Sequence, residues 1–292
     1  HQFLNQAYAQ GIRQFVVEQG DAARYQSLSE TNILQVPNSI AALQKLTAHH
    51  RQQFQLPLLA ITGSNAKTIV KEWLSQLLAL QYTVVKSPKS YNSQIGVPLS
   101  VWPLNDMHEY GVFEAGISLP GEMARLAAIL QPTRGIFTNI GPAHDEGFAS
   151  RTQKIEEKAH LFQGCQRIYY CLDHTPIHDV LTRRYQGQAE LVKWSLQGVE
   201  GATYQVRQRP SAHGSATLLT VVGPDQSYTF TLPFVDRVSI ENATHCIVYL
   251  LHEGFDAALL QKGLLALTNV PMRLTLKQGI NQCQIIADTY DS

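Results

Sequence analysis

A lysine and a threonine follow a small-residue loop directly after an apolar run, a spacing typical of phosphate binding. Leu58–Thr62 is a candidate strand, residues 63–66 form the loop, and apolar residues recur at helical spacing after Lys67 and Thr68. The first turn of a helix offers unpaired backbone N–H groups, lysine adds a positive charge, and a threonine hydroxyl can hold Mg²⁺. The sequence therefore predicts a nucleoside triphosphate site.

The loop departs from the common phosphate-binding pattern G-x-x-x-x-G-K-[ST] at two places. Ile61 and Ala66 stand where that pattern has glycine. If the backbone at residue 66 requires a positive φ, alanine costs roughly 1–2 kcal/mol relative to glycine. An ordinary strand, turn and helix with a solvated Lys67 therefore remains an alternative for this segment taken alone.

Two more polar residues follow candidate strands, Glu114 after the strand that ends at Phe113 and His144 shortly after the strand that ends at Thr138. In open parallel sheets, ligands bind at the carboxyl ends of the strands. Thr68, Glu114 and His144 would thus present oxygen and nitrogen donors to Mg²⁺ from three loops of one sheet edge. Taken singly, Glu114 could be a solvated loop residue and His144 a capping residue.

The elements that must position these residues follow from the apolar pattern. Between residues 56 and 171, apolar strands alternate with amphipathic helices, which predicts an α/β fold with a central, doubly wound, mostly parallel sheet of P-loop type. The strands are expected at residues 58–62, 82–85, 111–114, 135–138 and 167–171.

The flanking regions have a different pattern. Short alternating runs between residues 201 and 232, broken by Gly and Pro, predict an antiparallel β insert, and helices are expected over residues 239–252 and 256–267. A small αβ remnant precedes the sheet. It contains helices at residues 3–8 and 39–50 and a strand at residues 15–17.

Composition limits the classes of function. The 292 residues include 23 Lys+Arg and 23 Asp+Glu, so the net charge favours neither a nucleic acid nor an anionic membrane as a partner. No apolar stretch approaches the roughly 20 residues that cross a bilayer, and the four scattered cysteines indicate buried free thiols. We expect a cytoplasmic protein. The chain begins without Met and stops just after a candidate strand, which indicates a piece of a longer polypeptide.

Four segments together resemble, in order and spacing, the Mur ligases, ATP-dependent enzymes that build the peptide stem of bacterial cell-wall precursors. The loop fits the family form T-G-[ST]-N-G-K-T except at Ala66. The resemblance implies that this loop binds ATP. The four segments are Thr62-Gly63-Ser64-Asn65-Ala66-Lys67-Thr68, Glu114-Ala115-Gly116, Thr138-Asn139-Ile140-Gly141-Pro142-Ala143-His144, and Lys158.

The same resemblance implies two Mg²⁺ ions, with Lys158 carbamylated by CO₂ to become an anionic ligand. Carbamylation requires a neutral amine, so the neighbours of Lys158 must lower its pKa. As plain sequence, Lys158 is a surface lysine of a charged helix face. The resemblance implies Thr68, Glu114, His144 and Lys158 as metal ligands, and Lys67, His144 and Lys158 as catalytic residues.

Three residues toward the C-terminus also resemble family positions around the nucleotide. Asn242 resembles a residue that contacts the adenine, although a helix-interior cap is the alternative. Arg273 resembles an arginine near the phosphates, and Asp288 an aspartate at the ribose.

Residues 90–99 resemble the branch of the family that adds D-alanyl-D-alanine to a UDP-N-acetylmuramoyl-tripeptide through an acyl phosphate. The resemblance implies that Ser90, Asn92 and Ser93 contact the nucleotide-linked tripeptide, although a turn asparagine is the alternative for Asn92. Residues 87–94 and 113–118 look closer still to a variant of that ligase fused to a C-terminal alanine racemase.

This resemblance divides the chain into three parts. We expect residues 1–54 to end a UDP-substrate-binding domain, 55–270 to form the central ATP-binding domain, and 271–292 to begin a third domain, without which the piece would be inactive. Two alternatives remain open. They are a folylpolyglutamate-type ligase and a nucleotide-binding module without catalysis.

Overall fold

The computed structural model describes residues 3–20, 28–141, 145–212, 214–268, 270 and 275–287. In the N-terminal part, β1 and β2 pair in parallel as a separate two-stranded sheet. The helix α2 then packs against two helices of the central part. The N-terminal elements are α1 (Leu4–Ala9), β1 (Gln14–Glu18), β2 (Asn32–Val36) and α2 (Ser39–Gln52).

Strands and helices alternate through the central part, as the apolar pattern predicted. The first of these elements are β3 (Leu58–Thr62), α3 (Lys67–Leu78), β4 (Val84–Lys86), α4 (Gly96–Val101), β5 (Tyr110–Glu114), α5 (Glu122–Leu130), β6 (Arg134–Phe137), α6 (Arg151–Ala159), β7 (Arg167–Cys171) and α7 (Thr175–Tyr185). The remaining elements are β8 (Glu190–Ser195), β9 (Tyr204–Pro210), β10 (Thr217–Val222), β11 (Ser227–Leu232), α8 (Arg237–His252), α9 (Ala257–Leu265), β12 (Thr275–Gln278) and β13 (Gln284–Ala287).

One nine-stranded sheet organises the described residues, in the order β11-β10-β9-β8-β7-β6-β3-β5-β4. The strands from β4 to β9 pair in parallel, whereas β9, β10 and β11 pair antiparallel. The predicted α/β class and the antiparallel insert are confirmed. The strand order reverses at β3, which lies between β5 and β6, so the loops after these three strands flank a topological switch point.

One strand of the central sheet escaped the sequence reasoning. The strand β8 joins the parallel core to the antiparallel strands, which therefore extend the central sheet. Its sequence holds Glu190 and Lys193, which interrupt the apolar run, and only Val192, Trp194 and Ser195 are buried. The pattern was too short and too polar to mark a strand.

The sheet divides the core into two apolar clusters, one on each face. All five residues of β3 are buried, and they alternate between the clusters, with Leu59 and Ile61 on one face and Leu58 and Ala60 on the other. The helix α3 packs on the first face through residues at helical spacing. These are Val70, Trp73, Leu74 and Leu77.

No helix in the described ranges is long and apolar enough to cross a membrane. The thiols of Cys165, Cys171 and Cys246 are free and buried, as expected, whereas that of Cys283 is free and exposed.

Candidate active site

The loop between β3 and α3 has the positive backbone dihedral on which the cost of Ala66 depends. Ala66 lies at φ 68° directly before the first residue of α3, and Gly63 lies at φ 145°. An alanine in the left-handed region costs roughly 1–2 kcal/mol. The buried methyl group of Ala66 packs in the core, which offsets part of that cost.

Residues that follow β6 hold this loop in place. Asn139 accepts the N–H of Ser64 on its main-chain oxygen at 2.9 Å and the N–H of Asn65 on Oδ1 at 3.0 Å. The hydroxyl of Thr138 donates to the main-chain oxygen of Asn65 at 2.7 Å. Sequence reasoning gave Thr138 and Asn139 no role of their own, although both belong to the segment that carried the family resemblance.

Lys67 folds back over the loop. Its Nζ donates to the main-chain oxygens of Gly63 and Ser64, both at 3.0 Å, and the side chain is half-buried. The charge of Lys67 therefore lies over the loop, close to the N-terminus of α3. That arrangement suits a phosphate group, because backbone N–H groups and an ammonium face the same space.

Thr68 and Glu114 meet beneath the loop. The Glu114 carboxylate is fully buried at the end of β5, and the Thr68 hydroxyl donates to its Oε2 at 3.0 Å and lies 3.3 Å from its Oε1. Asn92 Nδ2 donates to the same Oε2 at 3.4 Å. A solvated loop position for Glu114 is therefore wrong. A buried carboxylate beside a hydroxyl supplies the oxygen donors that Mg²⁺ prefers.

Sequence reasoning missed Lys71, which is also part of this group. Lys71 lies one helical turn after Lys67, is fully buried, and places its Nζ 3.6 Å from Oε1 of Glu114. A charged residue on the otherwise apolar inner face of α3 was the signal that could have identified it.

Lys158 is 1 % exposed, so its description as a surface lysine is wrong. Its Nζ donates to the main-chain oxygen of Gly63 at 3.2 Å. Burial, with the positive charges of Lys67 and Lys154, holds the pKa of Lys158 well below its ordinary value. The neutral amine that carbamylation needs is therefore a larger fraction of Lys158 at neutral pH than of a solvated lysine.

Lys154 was also missed, one turn before Lys158 on α6. It is fully buried, and its Nζ donates to the main-chain oxygen of Gly141 at 2.6 Å. The Ser64 hydroxyl donates to that same oxygen at 3.2 Å. Lys154 thus joins α6 to the segment after β6 and, through it, to the loop between β3 and α3.

A cleft of about 420 Å³ opens beside these side chains. Lys67, Lys158, Asn92 and Ser93 are among the residues that line it. The Ser93 hydroxyl accepts the N–H of Gly96, the first residue of α4, at 3.1 Å. The structure thus brings two of the three expected substrate residues to the two lysines. Ser90 is half-buried and lies outside this lining.

Asn242 lies apart from that cleft, on α8. It is 2 % exposed, and among the described residues its Nδ2 has no hydrogen-bond partner. An unsatisfied buried donor costs about 1–3 kcal/mol. A ligand with an acceptor atom, such as a nucleobase ring, would satisfy it. Next to it, Glu241 accepts from His174 Nε2 at 3.0 Å.

Three expected site residues, His144, Arg273 and Asp288, lie outside the described residues. Within the described ranges, no three His, Cys, Asp or Glu side chains cluster as a metal ion would require. The metal site expected from the sequence is of another kind. In the described residues it would use the Thr68 hydroxyl, the Glu114 carboxylate and a modified Lys158.

A mostly parallel sheet with a lysine-bearing loop at its switch point is typical of a nucleotide-binding α/β protein. The Mur ligase middle domain family matches residues 61–250. The chain belongs to the Mur ligase family, and the resemblance that the sequence motifs indicated is confirmed at that level.

Among the curated relatives that align with the whole chain are two proteins that are both named UDP-N-acetylmuramoyl-tripeptide--D-alanyl-D-alanine ligase. The Haemophilus influenzae protein is 27 % identical over 298 residues, and the Bacillus subtilis protein is 27 % identical over 294 residues. The chain spans 63 % and 62 % of their lengths. Their name agrees with the branch of the family that the sequence segments indicated.

Solved structures show the same fold. MurF from Acinetobacter baumannii superposes with a TM-score of 0.84 at 24 % identity, over all of this chain and 62 % of its own. MurF from Thermotoga maritima, solved in complex with ADP, superposes with a TM-score of 0.83 at 23 % identity, over all of this chain and 65 % of its own.

Proposed function

We propose that this chain is the nucleotide-binding part of an ATP-dependent amide ligase that adds D-alanyl-D-alanine to a UDP-N-acetylmuramoyl-tripeptide. The name shared by the two relatives supports this substrate pair. A folylpolyglutamate-type ligase and a module without catalysis remain outcomes of the tests below.

The observation that carries the proposal is the convergence of three segments, the start of α3, the end of β5 and α6, beside one cleft. Lys67 and Thr68 begin α3, Glu114 ends β5, and Lys158 reaches the oxygen of Gly63 from α6. Each group suits one part of a phosphoryl transfer. Cations and helix N–H groups stabilise phosphate charge, and oxygen donors hold the metal.

In the proposed reaction, the γ-phosphoryl group of ATP moves to the terminal carboxylate of the tripeptide and forms an acyl phosphate. The amine of D-alanyl-D-alanine then displaces phosphate and forms the amide. Lys67 stabilises the charge on the phosphates, while Asn92 and Ser93 hold the tripeptide beside Lys67 and Lys158. The task of the protein is mainly positioning and charge stabilisation.

Mg²⁺ fits the buried oxygen donors of this site. Thr68 and Glu114 would hold it, together with His144 and a carbamate formed by CO₂ on Lys158, in the two-ion arrangement expected from the family. Bound there, the metal would neutralise charge on the transferring phosphoryl group. The depressed pKa of Lys158 supports the carbamate.

The remaining expectations complete the proposed nucleotide site. Asn242 would contact the adenine, since its buried Nδ2 is unpaired in the described residues. Arg273 would lie near the phosphates and Asp288 at the ribose. We keep the predicted domain boundaries, at residues 1–54, 55–270 and 271–292.

Phosphate release by the protein at its natural length tests the proposal. It should require ATP, the UDP-linked tripeptide and D-alanyl-D-alanine together, and replacing the dipeptide with glutamate should abolish it. K67Q and K158Q should each abolish ligation, whereas K262Q, at an exposed lysine on α9, should leave it unchanged. Release with folate and glutamate would support the rival ligase, and ATP binding without any release would support a module without catalysis.

A separate measurement tests the carbamate. The protein equilibrated with ¹³C-labelled bicarbonate should show one carbamate carbon signal by NMR, and K158Q should lose it. A signal that persists in K158Q, or a wild-type spectrum without one, would exclude the carbamate at Lys158.

A further inference from the structure

Lys71 has no place in the function proposed so far, yet it is among the most deeply buried charges of the chain. Its side chain is fully buried on the inner face of α3. It lies one helical turn beyond Lys67 on α3 and, unlike Lys67, does not line the cleft. A buried ammonium persists only with charged or hydrogen-bonding partners.

The first partner is the carboxylate of Glu114. In the described residues, that carboxylate accepts from the Thr68 hydroxyl and the Asn92 amide, chiefly on Oε2, while Lys71 lies 3.6 Å from Oε1. Among the described residues, Lys71 is the one cation within ion-pair distance of Glu114. It therefore approaches the oxygen opposite the one that Thr68 and Asn92 share.

The second partner is the turn that follows β4. Lys71 Nζ donates to the main-chain oxygen of Ser87 at 2.7 Å and also to that of Lys89. Lys89 has a left-handed backbone, with φ 50°. The Ser87 hydroxyl in turn accepts the N–H of Glu114 at 3.2 Å. This turn leads directly to Asn92, which lines the cleft.

We propose that Lys71 is a positioning residue that fixes the Glu114 carboxylate toward Thr68 and ties the turn 87–89 to the end of β5. The ammonium of Lys71 thereby fixes the position of the Glu114 carboxylate relative to the turn that leads to Asn92. The inference rests on the proposed function, because it assigns Glu114 to Mg²⁺. Groups that orient a ligating carboxylate typically contribute about 10–100-fold to metal affinity.

Glu72 provides a matched control within the same contacts. Its Oε1 lies 2.9 Å from Lys71 Nζ, closer than Glu114, and its other oxygen pairs with the partly exposed Lys86. Glu72 is 27 % exposed and does not line the cleft. If Lys71 served only as a buried structural cation, losing either carboxylate partner would have similar effects.

The test measures equilibrium ATP binding by the protein at its natural length, with and without Mg²⁺, by titration calorimetry. The wild type should bind ATP more tightly with Mg²⁺. In K71M, the ratio of ATP affinity with Mg²⁺ to that without should be at least tenfold smaller than in the wild type, while the affinity in EDTA stays within about threefold of the wild-type value. E72Q should retain the wild-type ratio. Unchanged enhancement in a folded K71M, or an equal loss in E72Q, would overturn the inference. A wild type that binds no ATP would instead refute the proposed function.

K71M leaves Glu114 buried without its cation and could fail to fold, since such losses cost about 3–5 kcal/mol. The comparison then moves to E114Q and the double variant K71M/E114Q, in which no carboxylate is left unpaired. If Lys71 acts through Glu114, the double variant should show the same Mg²⁺ enhancement as E114Q. A further loss of at least threefold in the double variant would show that Lys71 acts by another route.

Discussion

The imidazole of His245 lies 3.2 Å from the main-chain oxygen of Thr138, joining the middle of α8 to the end of β6. The indole N–H of Trp194 donates to the other ring nitrogen, Nδ1, at 3.3 Å. Nδ1 is therefore the acceptor, and Nε2 carries the proton that is donated to Thr138. The Thr138 hydroxyl also donates to the main-chain oxygen of Asn65. His245 therefore supports the loop between β3 and α3 through Thr138.

The stability of the chain should fall in acid through His245. Burial lowers its pKa to about 4; the Glu241 carboxylate opposes this shift and His174 adds to it. Because the folded pKa lies below the unfolded value of about 6.5, the unfolded chain takes up the proton first as the pH falls. The stability that this group contributes is complete above about pH 6.5 and is lost progressively as the pH falls to about 4. The loss amounts to roughly 2 kcal/mol at pH 5.

H245Q tests this prediction, because glutamine can make both hydrogen bonds without titrating. Urea unfolding at pH 7.5 and pH 5 should show a smaller loss of stability in acid for H245Q than for the wild type, by about 2 kcal/mol. Equal losses in the two proteins would show that His245 does not titrate as described.

Gly63 should tolerate no side chain. A Cβ there would lie 2.0 Å from Thr138 Oγ1 and 3.0 Å from the main-chain oxygen of Asn139, the groups that hold the loop. We expect G63A to lower the free energy of unfolding by about 2 kcal/mol or more and to weaken ATP binding at least tenfold. Calorimetric ATP titration and urea unfolding measure both effects.

Gly187 supplies the control for G63A. It has φ 81°, and a Cβ there would meet no atom within 4 Å. G187A should therefore cost only the backbone strain, about 1 kcal/mol, with unchanged ATP affinity. Equal loss of ATP affinity in the two variants would mean that the contact with Thr138 does not determine the loop conformation.

Local patterns were sufficient to predict the parallel strands β3 to β7 and the polar residues at their ends. The apolar run of β3 and the position of Glu114 at the end of β5 follow from short stretches of sequence, and the family motifs added Lys158. The parallel pairing followed from the alternation of strands and helices, and the antiparallel insert from the short runs broken by Gly and Pro.

The burial of charged residues could not be predicted in the same way. Lys154 and Lys158 occur in a helix with many other polar residues, where a solvated face is the usual interpretation. Their burial depends on which carbonyls and carboxylates face them across the fold. Lys158, for example, meets Gly63, which is 95 residues away in the sequence.

Glu253 lies at the amino ends of β6 and β7, away from the candidate active site at the carboxyl ends of the strands. Its Oε1 accepts from Arg134 at 2.7 Å, Arg167 at 3.1 Å and Tyr169 at 2.5 Å. Burial alone would raise the pKa of Glu253, but the hydrogen bonds from these three side chains lower it below its ordinary value. Removing the charge would leave two guanidinium groups without their shared partner.

E253Q should therefore destabilise the chain by about 2 kcal/mol at neutral pH. Because the folded pKa is depressed, the contribution is complete above the unfolded value near 4.3 and is lost as the pH falls through the folded pKa. The difference between wild type and E253Q should thus shrink below about pH 4. Thermal unfolding across this pH range measures it. E200Q, at an exposed turn, should have no effect, and a pH-independent difference for E253Q would contradict the assignment.

The methyl group of Ala66 should impede nucleotide binding very little. The backbone already has the left-handed conformation that glycine would adopt, so the N–H groups of Lys67 and Thr68 keep their direction. In A66G, relief of roughly 1–2 kcal/mol of strain is offset by the greater chain entropy of glycine and by the lost burial of one methyl. We expect stability within about 1 kcal/mol of the wild type and an ATP dissociation constant within about threefold. Calorimetry measures the affinity, and a tenfold or greater gain in A66G would show that the methyl group obstructs the phosphates.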